Sequence, residues 1–268
     1  MTRRVVPMIH VPDVAATVEW YRNIGFTVVE TYGNESDGLS FAVLMFGSTR
    51  VMFNQGGRTS TQHRREVDLY VYTEDVDELY QSLKDRVEIV EGVHDKFYGM
   101  RELTIRDLNR FWITFGQLSG YGMLMDAVGE GEAELVRAAL NRGKLKPEAL
   151  TNALVAASAG GKDEIAALLQ QAGATMPPAL DESVLQAHAG KYKSKAGMQV
   201  EIKLSEGTLY ATPSGQQSLR LIAMDEVTFR PMAFDGVSVR FNVADGKTTG
   251  FVMQDGTSAT QLQRVEDD

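Results

Sequence analysis

Apolar and polar positions change rhythm twice along this chain. Over residues 1–118, short apolar runs alternate with two stretches of helical spacing. Val5–Val11 reads as a strand. Asp13 then caps a helix in which Val14, Val18, Trp20, Tyr21 and Ile24 recur, and Gly25 stops it. Phe26–Thr31 is a strand, 33–38 a polar loop, and Leu39–Phe46 with Arg50–Asn54 a hairpin about Gly47-Ser48-Thr49. The polar, aperiodic run 55–65 reads as a loop. Val67–Tyr72 is a strand, Asp75 caps a helix through Val76, Leu79, Tyr80 and Leu83, and Val87–Val90 is a strand. Tyr98–Gln117 is a hairpin: Leu103 and Ile105 on one arm, Asp107-Leu108-Asn109-Arg110 as the turn, Phe111–Phe115 on the other. The order is β-α-β-β-β, twice, each pass entering its helix through Asp-Val.

Residues 120–178 lose the strand signal and become rich in Ala, Leu and Glu at helical spacing. LMDAVGEGEAELVRAALNRG aligns on ALVAASAGGKDEIAALLQQAGA: Ala127 on Ala157, Gly131 on Gly161, Glu134 on Glu164, Leu135 on Ile165, Gly143 on Gly173. The alternation returns over 183–265, with Asp245-Gly246 and Asp255-Gly256 as hairpin turns, predicting a small antiparallel barrel or curled sheet. The predicted class is α+β multidomain: paired βαβββ modules over 1–118, a helical pair over 120–178, a small β-barrel over 183–265.

Charge and composition narrow the function. A net charge of −9 argues against general nucleic-acid or anionic-membrane binding. The absence of cysteine removes disulfides, thiolate metal sites and cysteine nucleophiles. No run approaches the length of a membrane span, and Pro7, His10, Pro12 and Asp13 interrupt the start, so a cytoplasmic protein is expected.

DVAATVEWYRNIGF and YGMRELTIRDLNRFWITFGQ resemble the two signature stretches of the glyoxalase/bleomycin-resistance/dioxygenase (vicinal-oxygen-chelate) superfamily. Tyr98 stands where Trp is common, and Leu108 and Arg110 stand where the turn's Pro and Gly are common. The resemblance implies two βαβββ modules curled around a cavity. The repeat over 120–178 resembles ankyrin repeats, which run near ~33 residues and need neighbours to be stable. The last segment resembles the lipocalin-like domain at the end of some serine-hydrolase proteins, through Gly190-x-Tyr192, Leu209-Tyr210, Phe229 and a terminal Asp-Gly-Lys turn.

Metal-using members of the superfamily carry His, Gln or Glu on four strands. The resemblance lays those positions on Val6, Met52, Val67 and Thr114, which offer no ligand set for a divalent ion. A slip of register brings in only Glu66 and Asp68. No metal and no cofactor are therefore expected, and the resemblance points to the bleomycin-resistance-like branch, which sequesters a small molecule. His10, His63, His94 and His188 share no metal-ligand spacing.

Strand alternation then suggests the ligand-binding residues. Trp112 points with Thr114, Asn54 with Met52, and Leu69 and Val71 with Val67. Trp112, Tyr98 and Phe53 offer flat surfaces for an aromatic or extended ligand, although Phe53 also reads as core. Arg101-Glu102 reads as a strand-edge ion pair. In the barrel Tyr192, Tyr210, Phe229 and Phe241 are expected inside. Three functions stay open: a binding protein for a bulky antibiotic or metabolite; a lyase, isomerase or dioxygenase-like enzyme; and an interaction module using repeats and barrel. A homodimer and a protein partner on the repeats are the assemblies to test.

Overall fold

The computed structural model describes residues 6–34, 38–62, 65, 67–142, 145–256 and 258–265. Val5, His63, Glu66 and Gly143, which the sequence reading invoked, lie outside them. The chain divides into two compact units: residues 1–94 with 101–117, and residues 95–100 with 118–268.

The first unit is the doubled β-α-β-β-β order. Its first module runs β1 (Met8–Val11), α1 (Val14–Asn23), β2 (Thr27–Asn34), β3 (Gly38–Phe46) and β4 (Thr49–Gln55). The second runs β5 (Asp68–Tyr72), α2 (Val76–Leu83), β6 (Glu88–Asp95), β7 (Met100–Arg106) and β8 (Trp112–Leu118). The two sheets repeat one topology, β1-β4-β3-β2 and β5-β8-β7-β6, with the first strand of each parallel to the last. Both helices start the same way. Asp13 Oδ1 accepts from the Ala16 amide at 2.9 Å and Asp75 Oδ1 from the Glu78 amide at 2.8 Å, satisfying donors that the first turn leaves open. One apolar core joins α1 and α2 to the inner faces of both sheets, with Val11, Tyr21, Phe53, Val76, Leu103, Ile113 and Phe115 fully buried.

The 107–110 turn is tied into that core. Asp107 Oδ1 accepts from the Phe111 amide at 2.8 Å, while Asp107 Oδ2 accepts from the Tyr21 hydroxyl on α1 at 3.1 Å. Asn109 Nδ2 donates to Thr17 Oγ1 at 2.9 Å. Arg110, at φ 71°, adopts the left-handed backbone that favours glycine.

Among the described residues the second unit holds five helices and a barrel. α3 (Gly120–Glu130), α4 (Ala133–Arg142), α5 (Pro147–Ala159) and α6 (Asp163–Gln171) form two helical hairpins that turn on left-handed Gly131 and Gly161. Ala127 and Ala157, equivalent in the repeat, are both buried where the helices pack. A short α7 (Glu182–His188), which the sequence reading missed, precedes β9 (Gly190–Ser194). Then follow β10 (Gln199–Ser205), β11 (Thr208–Pro213), β12 (Leu219–Ala223), β13 (Thr228–Pro231), β14 (Val237–Ala244), β15 (Lys247–Asp255) and β16 (Ser258–Val265). These eight strands close into a barrel as β9 pairs with both β10 and β16.

Tyr192, Phe229, Phe241, Phe251 and Leu262 fill the barrel interior. Tyr210 is not among the inner residues expected for it: Leu209 and Ala211 on either side are buried, so alternation turns Tyr210 outward. His188 plugs the core from α7. Its ring stacks on Phe241 at 4.2 Å, Nε2–H donates to the Glu226 carbonyl at 2.8 Å, and Nδ1 and Thr248 Oγ1 share a hydrogen bond of 2.8 Å. A carbonyl only accepts, so Nε2 carries a proton. Burial lowers its pKa.

Candidate functional site

Directly paired residues point to the same side of a sheet, so the registers define which residues share the face away from the helices. In the first sheet Met8 lies opposite Met52 and His10 opposite Asn54, with Phe41 beside Asn54. Asn54 Nδ2 lies 3.3 Å from His10 Nε2. The intervening Ile9, Val11, Val51 and Phe53 are buried on the helix side. Phe53 is thus core, tilted against Tyr21 with ring centres 4.7 Å apart, and is not a ligand-facing residue.

In the second sheet Asp68 lies opposite Trp112 and Tyr70 opposite Thr114. Leu69 pairs with Ile113 and Val71 with Phe115, and both pack on the helix-side core. The parity taken from Val67 was therefore off by one. Even-numbered residues of this strand share the face of Trp112 and Thr114, and Leu69 and Val71 do not. Thr104 and Thr114 hydroxyls are bonded at 3.0 Å. The Tyr70 hydroxyl donates to the buried Glu102 at 2.7 Å, crossing Gly116, where a Cβ would stand 2.2 Å from that oxygen. Arg101, next in the chain, holds Asp77 on α2 by two bonds of 2.8 Å, which keep the Asp77 carboxyl below its ordinary pKa. Arg101 and Glu102 thus serve opposite faces of the strand.

Tyr98 falls in neither sheet. It occupies the turn between β6 and β7 and groups with the second unit, its ring edge-on to Phe97 at 5.1 Å. Of the ligand residues expected from sequence, Trp112, Thr114, Met52 and Asn54 thus lie on the open faces. Tyr70, Met8 and His10 join them there. Their signal was present in the alternation but needed the strand registers to be read.

The open faces are rich in exposed apolar side chains: Met8, Tyr32, Tyr70 and Tyr72, the last 77% exposed. A concavity of about 960 Å³ lies along the second sheet's edge strand and is lined from both faces of it, by Tyr70 and Tyr72 as well as Leu69 and Val71. Phe26, Phe46 and Leu79 also line it, with the charged Arg50, Glu74 and Glu78.

The positions where the superfamily resemblance places metal ligands do not fit a metal. Met52 meets Met8, Thr114 bonds Thr104, and Val6 and Val67 lie just outside their strands. Two thioethers and a paired hydroxyl are poor donors for a hard or borderline divalent ion. Among the described residues no three His, Cys, Asp or Glu side chains group as a metal site.

Comparison with known proteins bears on the first unit. Residues 4–115 match the family model described as the Glyoxalase/Bleomycin resistance protein/Dioxygenase superfamily. Among solved structures, TioX from Micromonospora sp. ML1 is 24% identical, with 44% of this chain and 97% of that one covered and a TM-score of 0.36. The fosfomycin resistance protein FosX from Listeria monocytogenes is 17% identical, covering 44% and 95%, with a TM-score of 0.38. A glyoxalase/bleomycin resistance protein/dioxygenase from Alicyclobacillus acidocaldarius is 14% identical, covering 42% and 89%, with a TM-score of 0.37. Comparison with curated protein sequences gives no match. Among the described residues no helix is long and apolar enough to cross a membrane.

Proposed function

We propose that the N-terminal glyoxalase/bleomycin-resistance-type domain is a metal-independent binding domain that sequesters a bulky or aromatic small molecule, such as an antibiotic or metabolite. The observation that carries this reading is the chemistry of its open faces. Val6, Met52, Val67 and Thr114 stand at the places that the superfamily resemblance assigns to metal ligands, and Trp112, Tyr70 and Tyr72 give the open faces aromatic surface. Aromatic walls with a few polar groups, here Asn54, His10 and Thr114, suit a flat ligand held by stacking and one or two hydrogen bonds. Asp68 and Glu102 supply carboxylates on the second sheet, but Glu102 is buried under Tyr70.

The exposed apolar residues of these faces favour a homodimer in which a second copy completes the site. The helical pair reads as an ankyrin-like bridge that leans on the barrel, and the barrel as a lipocalin-like module filled by its own side chains.

Thermal melting across a panel of aromatic antibiotics, with and without chelator, tests this reading. The expected result is a chelator-insensitive rise in melting temperature that Trp112→Ala abolishes and Leu79→Ala leaves intact. Loss with Leu79→Ala alone would move the site to the concavity along β5, and loss with chelator alone would overturn the reading.

A further inference from the structure

Arg230 sits in the second unit in a setting that the N-terminal domain does not explain. On β13 the neighbouring Phe229 points into the barrel, so Arg230 points out of the wall, yet it is only 8% exposed. Its Nε and Nη1 are buried and meet no acceptor among the described residues. Asn152 on α5 is 2% exposed, and its Oδ1 is buried and meets no donor.

The amide's orientation is fixed by its surroundings. The Tyr121 hydroxyl donates to the Met232 carbonyl at 2.5 Å, so it can only accept from Asn152 Nδ2, 3.4 Å away, which leaves Oδ1 without a donor. Both groups border a cavity of about 210 Å³ that Lys146, Glu148 and Asp235 also line. Lys146 bonds Asp235 at 3.1 Å. Burial weakens the hold of Arg230 on its proton, and Glu148, Tyr121 and Asp235 counter that effect.

Two buried guanidinium nitrogens and a buried amide oxygen without hydrogen-bond partners are expensive, and native proteins rarely keep them. Water occupies roughly 30 Å³ per molecule, so this space exceeds one or two bridging waters and suits a small organic molecule. The guanidinium fork asks for a planar anion, carboxylate above all. Two cations face two carboxylates around the pocket, which matches a ligand of no net charge and opposes a dianion such as phosphate.

We propose that this pocket binds a small zwitterion of the amino-acid type, its carboxylate on Arg230 and its ammonium on Asn152 Oδ1 and Glu148. The site is separate from the N-terminal domain and does not depend on its reading.

Calorimetric titration of the full chain with glycine, alanine, acetate, methylammonium and inorganic phosphate tests it. The expected result is saturable one-site binding of glycine or alanine, weaker binding of acetate, and none of phosphate. Arg230→Gln, shown folded by circular dichroism, should weaken amino-acid binding by at least about tenfold, on the order of 1.4 kcal/mol. Glu148→Gln should weaken glycine but leave acetate unchanged, and it keeps the test intact if Arg230→Gln does not fold. Phosphate binding in preference to glycine, absence of any saturable binding to the wild-type chain, or identical glycine binding by both variants would overturn the proposal.

Discussion

The Tyr21 hydroxyl donates to the Asp107 carboxylate across 3.1 Å, joining the helix-signature and hairpin-signature stretches 86 residues apart in sequence. Tyr21 is fully buried, and burial, with Asp107 beside it, raises its pKa well above the ordinary value. Tyr21→Phe would remove the donor and leave Asp107 Oδ2 without it in a buried turn. The expected cost is about 1–3 kcal/mol, read as a lower urea midpoint with unchanged slope. An unchanged midpoint would show that the bond does not hold the turn.

The same carboxylate gives the first unit a pH signature. Burial pushes Asp107 from 3.8 up to about 6, against the bonds from Phe111 and Tyr21 that favour its charged form. The folded state therefore holds a proton that the unfolded chain has released. Stability is highest below the unfolded value and is lost as pH rises through about 6, by roughly 3 kcal/mol. Asp107→Asn should flatten that slope between pH 4 and 6.5 in paired melting curves. Equal slopes for the two proteins would refute the assignment.

His188 works the other way in the second unit. Burial lowers its pKa from 6.5, so the folded state resists a proton that the unfolded chain accepts. This contribution is present above 6.5 and is lost as pH falls below it. Scanning calorimetry across this range should show a barrel transition that weakens with acid, and His188→Gln should remove that trend. A trend of the same size in the variant would place its origin elsewhere.

Arg110 offers a test of backbone strain, since it holds φ 71° while its Nε donates to the Gln62 carbonyl at 2.7 Å. Arg110→Ala loses the side-chain bond and keeps the strained backbone, whereas Arg110→Gly loses both. The glycine variant should be the more stable of the two by about 1 kcal/mol in chemical denaturation. If alanine equals glycine, the turn is not strained.

Much of the first unit was legible in the sequence. Asp13 and Asp75 announced both helix starts, and the apolar alternation over Phe111–Phe115 placed Phe111, Ile113 and Phe115 in the core, where they are buried. Leu69 was misplaced because Val67, from which its parity was counted, lies outside the strand, and Asp68 begins it. Tyr98 read as part of the hairpin because its neighbours do, but it stands in the turn before the strand begins. Phe53 alternated correctly with Met52, and only its contact with Tyr21 decides for core. Arg230 carried no sequence signal: an arginine on a strand is ordinarily solvated, whereas here it is buried and lines one cavity with Asn152 of α5, far away in the chain.

On the proposed function, the open faces of the N-terminal domain bind their ligand without a metal. Elemental analysis of the purified full chain, equilibrated with Mn²⁺, Zn²⁺, Fe²⁺ and Ni²⁺ and then desalted, tests it most directly. The account predicts less than stoichiometric retention of every ion, unchanged by Thr114→Ala. One equivalent of any of them, lost on substituting Thr114 or Asp68, would contradict it.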